Sequence, residues 1–166
     1  MSATTTNIQE ITRNLDEVEK RLEAFGAAGA EVHGRGYAPG KWSGRQILAH
    51  VSDCGYVFFY RMLRGAAEGG DVVMFDHEVW AKELKQADRP VEVSLGMMRA
   101  LFASTRHLLA TLEPEALART SQHPQRGAMA AADFAAMLAN HTRHHAGQLD
   151  AIREGRAWTS AEAVKY

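Results

Sequence analysis

The chain has 166 residues, of which 46% are hydrophobic and 23% charged, with a formal net charge of -1 and a pI near 6.7. These are the values of an ordinary globular protein able to bury a core, so one domain over residues 1–166 is expected, without the basic stripe of a nucleic-acid binder. No run approaches the roughly 20 apolar residues that span a bilayer, and the opening MSATTTNIQE has neither the positive nor the apolar segment of a secretion signal, which makes the cytoplasm the expected location.

In chain order, the first predicted helix carries Ile8, Ile11, Leu15, Val18, Leu22 and Phe25, spaced by three and four on one apolar face. Thr6 with Gln9 fits a capping box at its start, and Gly26 a stop at its end. After a connection holding Gly34, Gly36, Pro39 and Gly40, Ser43 with Gln46 forms a second capping box, with Trp42 and Ile47 placed for a hydrophobic staple. This second helix runs through Val51, Cys54 and Phe58 to about Arg64, before Gly65 and the Gly69-Gly70 pair.

Residues 71–93 read as a long crossover, with a short helix from Asp76 to Leu84 and the aromatic and acidic group Phe75, Asp76, His77, Glu78 and Trp80. Those aromatics either roof a pocket or pin the crossover to the helices. The third long helix starts near Ser94, carries Met98, Leu101, Thr105, Leu108 and Leu112, and stops at Glu113-Pro114. A loop with Pro124 and Gly127 leads to the last helix, about Ala130 to Glu154, closed by Gly155. No strand pattern and no repeat stand out, so the expected fold is an all-α four-helix bundle with a long crossover between its second and third helices.

The last helix holds the chemical signal. Its apolar stripe reads Phe134, Leu138, His141, His145, Leu149 and Ile152, so two histidines replace apolar side chains one turn apart. Imidazoles so placed can share a metal ion, but an i, i+4 pair is more often solvated or hydrogen-bonded. A third ligand from another helix strengthens the metal reading, and His50, beside the stripe of Ile47, Val51 and Cys54, is the candidate, with a core-edge histidine bonded to a backbone carbonyl or to Asp53 as its alternative. Three histidines leave a coordination position open, the pattern of a catalytic zinc; nickel, iron or cobalt also accept imidazole. His144 is rotated away from this stripe and ranks below the other two. Thr142 stands where a zinc protease would carry its glutamate base. Gln148, Asp53 and Arg143 are candidates to support the ligands, although a surface role is the default for each. Cys54, the lone cysteine, reads as a small core residue.

The stretch Gly40-Lys41-Trp42-Ser43-Gly44-Arg45-Gln46-Ile47-Leu48-Ala49-His50-Val51-Ser52-Asp53 resembles the second helix of DinB-like proteins, in which a Trp-Ser cap precedes a ligand histidine. Asn140-His141-Thr142-Arg143-His144-His145-Ala146-Gly147-Gln148-Leu149 is similar to that family's second signature, two histidines four apart. The resemblance implies His50, His141 and His145 as ligands of one divalent metal, nickel or zinc ahead of iron or cobalt, in a bundle that commonly forms a homodimer. Family members include bacillithiol- and mycothiol-dependent enzymes and proteins labelled metal-dependent hydrolases. The expected function is therefore a metal-dependent thiol S-transferase acting on a small molecule with a low-molecular-weight thiol. A hydrolase activating water and a non-catalytic metal-binding bundle are the alternatives. No nucleic-acid or membrane partner is expected.

Overall fold

The computed structural model describes residues 7–165. In chain order the elements are α1 (Ile8–Gly26), α2 (Ala30–Gly34), α3 (Gly44–Ala67), β1 (Gly70–Asp71), α4 (His77–Glu83), α5 (Val91–Thr111), α6 (Pro114–Ala118), β2 (Thr120–His123), β3 (Gly127–Ala130) and α7 (Ala131–Glu154). Short 3-10 turns cover Gln86–Asp88 and Ser160–Glu162. The expected bundle is present: the four long helices α1, α3, α5 and α7 lay their apolar stripes on one another around a shared core.

Local chemistry explains several helix ends. Ser43 caps α3 by accepting a hydrogen bond from the Gln46 amide at 3.3 Å, as its position suggested. Asp76 caps α4 by accepting from the amides of Glu78 and Val79. Gly155 closes α7 at φ +68°, a left-handed conformation that a side chain would strain.

Several boundaries differ from expectation. The Thr6 cap falls outside the described residues, and Asn7 caps α1 instead, accepting from the Glu10 amide. Helix α1 does end at Gly26, but that glycine is a packing position and not a left-handed one: a Cβ there would lie 2.3 Å from Cδ1 of Leu95. Helix α3 continues through Gly65 to Ala67, and α5 begins three residues before Ser94, at Val91. The region around Pro124 is also not plain loop. Strands β2 and β3 form an antiparallel hairpin there, and β1 adds to β2 in parallel. Strands of two to four residues, with the mostly polar run Thr120–His123 among them, are too short to show a periodicity of two.

Close approaches set the direction of each helix. A Cβ on Gly44 would meet Phe25 and Ile152, one on Gly55 would meet Leu138, Met98 and Leu101, and one on Gly65 would meet Ala131. The start of α3 therefore lies against the end of α7 and the reverse, so the two are antiparallel. Ion pairs of Arg99 with Glu23 and of Arg106 with Asp16 and Glu19 make α1 and α5 antiparallel as well. Around the bundle the order is α1, α7, α3, α5. Helices α3 and α5 thus run the same way and must be joined by a connection that returns along the bundle, which is the work of residues 68–90.

A largely buried ion pair ties that crossover down. Arg89 donates to both carboxylate oxygens of Asp53 at 2.6 and 3.0 Å and to the Ser52 hydroxyl at 3.1 Å. The buried amide of Gln86 donates to the same carboxylate at 2.7 Å. Truncating one member of a fully buried pair costs about 3–5 kcal/mol, less where water reaches the charge. Since Arg89 keeps a fifth of its side-chain exposure, we expect Asp53→Ala to lower unfolding stability in urea by about 2–3 kcal/mol. Amides of residues 84–90 should lose hydrogen-exchange protection at the same time. A loss below about 0.5 kcal/mol would show that apolar packing alone holds the crossover.

Candidate metal centre

The antiparallel register of α3 and α7 builds the site. With Gly44 against Ile152, Gly55 against Leu138 and Gly65 against Ala131, His50 falls opposite His145 and Cys54 opposite His141. Each helix presents two residues one turn apart, and the two pairs face each other in the core. All four side chains are buried.

The ring centres of His50 and His141 are 5.2 Å apart, those of His50 and His145 4.9 Å, and those of His141 and His145 4.6 Å. Imidazoles bound at 2.0–2.1 Å to one metal put their ring centres roughly 4.5 Å apart for right-angle coordination and roughly 5.2 Å for tetrahedral. The three rings thus meet in the core at spacings of that order. Nδ1 of His145 donates to Oε1 of Gln148 at 2.7 Å, which leaves Nε2 with its lone pair for a ligand.

Cys54 is a buried core residue, as expected, but its Sγ also lies 3.7 Å from both ring nitrogens of His50. Among the described residues, a nitrogen of His50, Sγ of Cys54 and a nitrogen of His141 all lie within 4.8 Å of one another, a group that does not include His145. The i, i+4 spacing from His50 was the available signal. Burial, reinforced by the Asp53 carboxylate, pushes the Cys54 thiol up to about 12, so it stays protonated and is a weaker donor than the imidazoles beside it.

The histidines behave in the opposite sense. Burial lowers His50 to about 4, with His77 adding repulsion and Asp53 partly offsetting it. Burial and then His50 lower His145 to about 3 against the opposing hydrogen bond of Gln148, and burial followed by His145 and His50 holds His141 well below its ordinary value. The rings are neutral near pH 7, the form that binds metal. His144 turns instead toward the C-terminal segment, its ring 5.2 Å from Trp158.

These side chains lie at the base of a cavity of about 560 Å³ whose wall includes Trp42, Phe58, Arg61, Phe75 and His77. Trp42 packs its ring 5.1 Å from His50, and His77 lies 5.7 Å from the same ring on the other helix of the wall, α4. Phe75 and His77 thus roof the pocket, while Trp80 braces Phe75 at 4.7 Å. Asp53 supports no ligand, being committed to Arg89 and Gln86, and Arg143 does not line the cavity. Arg61 was missed: it is a lone cation in the stripe Cys54, Phe58, Arg61 of α3, masked by the apolar residues around it.

A model of the DinB superfamily matches residues 4–149. The chain belongs to the DinB superfamily. Relatives that carry the provisional name of metal-dependent hydrolase occur in Bacillus mycoides, 33% identical over 123 residues, 74% of this chain and 70% of the relative. Another, from Bacillus cereus, is 30% identical over 152 residues, 91% of this chain and 86% of the relative. The solved structure of YfiT from Bacillus subtilis, described with an unusual four-helix-bundle topology, superposes with a TM-score of 0.81 at 19% identity, covering 94% of this chain and 92% of that one. This DinB-superfamily chain shares that fold. No helix among the described residues is long and apolar enough to cross a membrane.

The depressed histidines predict how the metal-free protein responds to acid. Below about pH 6.5 the unfolded chain takes up protons on His50 and His145, whereas the folded chain refuses them until about 4 and 3. The unfolded state then binds more protons, so stability falls as pH falls from 6.5 to about 4. At about 1.4 kcal/mol per pKa unit the loss is on the order of several kcal/mol, read as a falling urea midpoint of chelator-treated protein. His50→Asn should flatten the profile; an unchanged slope would show that His50 is not held neutral.

Proposed function

We propose that the protein is a metal-dependent enzyme in which His50, His141 and His145 hold one divalent transition metal, nickel or zinc ahead of iron or cobalt. The reaction we infer is transfer of a low-molecular-weight thiol to an electrophilic small molecule. The observation that carries this reading is the meeting of three buried, neutral imidazoles at the floor of an open cavity. A metal bound there would lower the pKa of a coordinated thiol or water and make its anion available near neutral pH.

The rest falls to the chain. Gln148 orients the His145 ring, and Trp42 and Phe58 flank His50 and His141. His77, exposed at the mouth beside His50, is placed to receive the proton of an incoming nucleophile. Glu78 is the sole acid among the lining residues and lies exposed. A thiol, acidic enough to ionise without a strong base, suits that wall better than water does. Hydrolysis is the second reading, supported by the names of the relatives and by His77 as an alternative base. Pairing of two copies, which the family resemblance implies, would find apolar surface at Tyr56, Tyr60 and Leu63 on α3.

The test is elemental analysis of untagged protein beside a His141→Ala, His145→Ala double variant. About one ion per chain is expected in the parent and almost none in the variant. A parent that stays metal-free after incubation with nickel, zinc, iron and cobalt overturns the proposal. With loaded protein, consumption of an alkyl halide that requires added thiol separates transfer from hydrolysis, which proceeds without it.

A further inference from the structure

Among the described residues, Arg61 is a buried cation without a counter-charge. Only 6% of it is exposed, and it lies in the wall of the cavity. Nη2 donates to the Val73 carbonyl at 2.6 Å and approaches Sδ of Met74 at 3.9 Å, while Nε has no hydrogen-bond partner. The guanidinium carbon stands 5.7 Å from the centre of the Phe75 ring. Among the described residues no carboxylate comes within ion-pair distance of it. Arg89, the other largely buried arginine of this region, is paired with Asp53. Removing a guanidinium from water is costly unless a charge of opposite sign and further hydrogen bonds replace the lost hydration. A carbonyl and an aromatic face replace only part of it.

Its position suggests what supplies the remainder. Arg61 lies two turns beyond Cys54 on α3, about 10 Å along the helix axis. Between them is Phe58, whose ring is 5.4 Å from that of His141 and which faces the same cavity as Phe75. The cavity is therefore graded along its length: imidazoles at one end, aromatic walls in the middle and an unsatisfied guanidinium at the other end.

The geometry points to Arg61 as the anchor for a carboxylate, so that the cavity takes a small organic acid with a flat apolar body lying along Phe58 and Phe75. The bidentate fork of arginine matches a carboxylate better than a lysine would. This assignment names the substrate class of the proposed site and relies on the metal reading for the reaction alone, not for the binding.

Calorimetric titration with benzoate and with benzamide, its neutral counterpart of the same shape, tests the anchor on the full chain, once treated with chelator and once loaded with zinc. We expect chelator-treated protein to bind benzoate at least about tenfold more tightly than benzamide. Arg61→Gln, which keeps a donor for the Val73 carbonyl, should abolish the preference, and Arg61→Lys should retain only part of it. The lysine variant and the wild-type comparison still decide the question if the glutamine variant does not fold. No preference in wild type, or one undiminished in both variants, overturns the proposal. So does a preference that appears only with zinc and survives Arg61→Gln, since the carboxylate would then sit on the metal. A protein that takes up none of nickel, zinc, iron and cobalt yet prefers benzoate through Arg61 would refute the metal reading and leave this one standing.

Discussion

The antiparallel packing of α3 against α7 is the constraint on which the rest of the molecule depends. Small residues line the seam: a side chain at Gly55 would crowd Leu138, one at Gly44 would press on Phe25 of α1 beside Ile152, and one at Gly65 would touch Ala131. Glycines let the two backbones come close, and the close approach locks one register. In that register two residues from each helix, a turn apart, face each other. A shift of one residue would turn them by about 100° and scatter the cluster.

The topology follows from the same packing. With α3 and α5 running the same way, the chain needs a long return, and that return is the segment carrying Phe75, His77 and Gln86. The Asp53 carboxylate holds it from α3, one residue before Cys54 in the chain, yet points away to Arg89 and Gln86. One helical turn therefore serves two purposes on two faces: it anchors the roof on one and supplies donors to the cavity on the other.

Electrostatically the cavity is unusual for having basic groups and almost no acid. The imidazoles are kept neutral by burial and by one another, the thiol is kept protonated, and the guanidinium of Arg61 has no carboxylate. The buried guanidinium is costly without an anion, while the neutral imidazoles keep lone pairs available for a cation. Groups retained at such cost at the bottom of an open pocket are the usual mark of a binding site rather than of a structural core.

Read from sequence alone, the helices and their apolar faces were legible because periodicity and caps are local properties: Ser43, Gly155 and the stripe from Ile8 to Phe25 stand where the spacing put them. The pair His141 and His145 was legible for the same reason, and the motif around His50 through its resemblance to the DinB family. What the sequence could not determine depends on contacts between distant segments. The strands are too short to carry a pattern. Gly26 looks like a left-handed stop until Leu95 is seen against it. Cys54 and Arg61 look like members of an apolar stripe until the partner helix and the returning crossover are in place. Local spacing says which side of a helix a residue faces; only the tertiary structure decides what waits on that side, because partners brought together across scores of residues leave no mark in the spacing of either one.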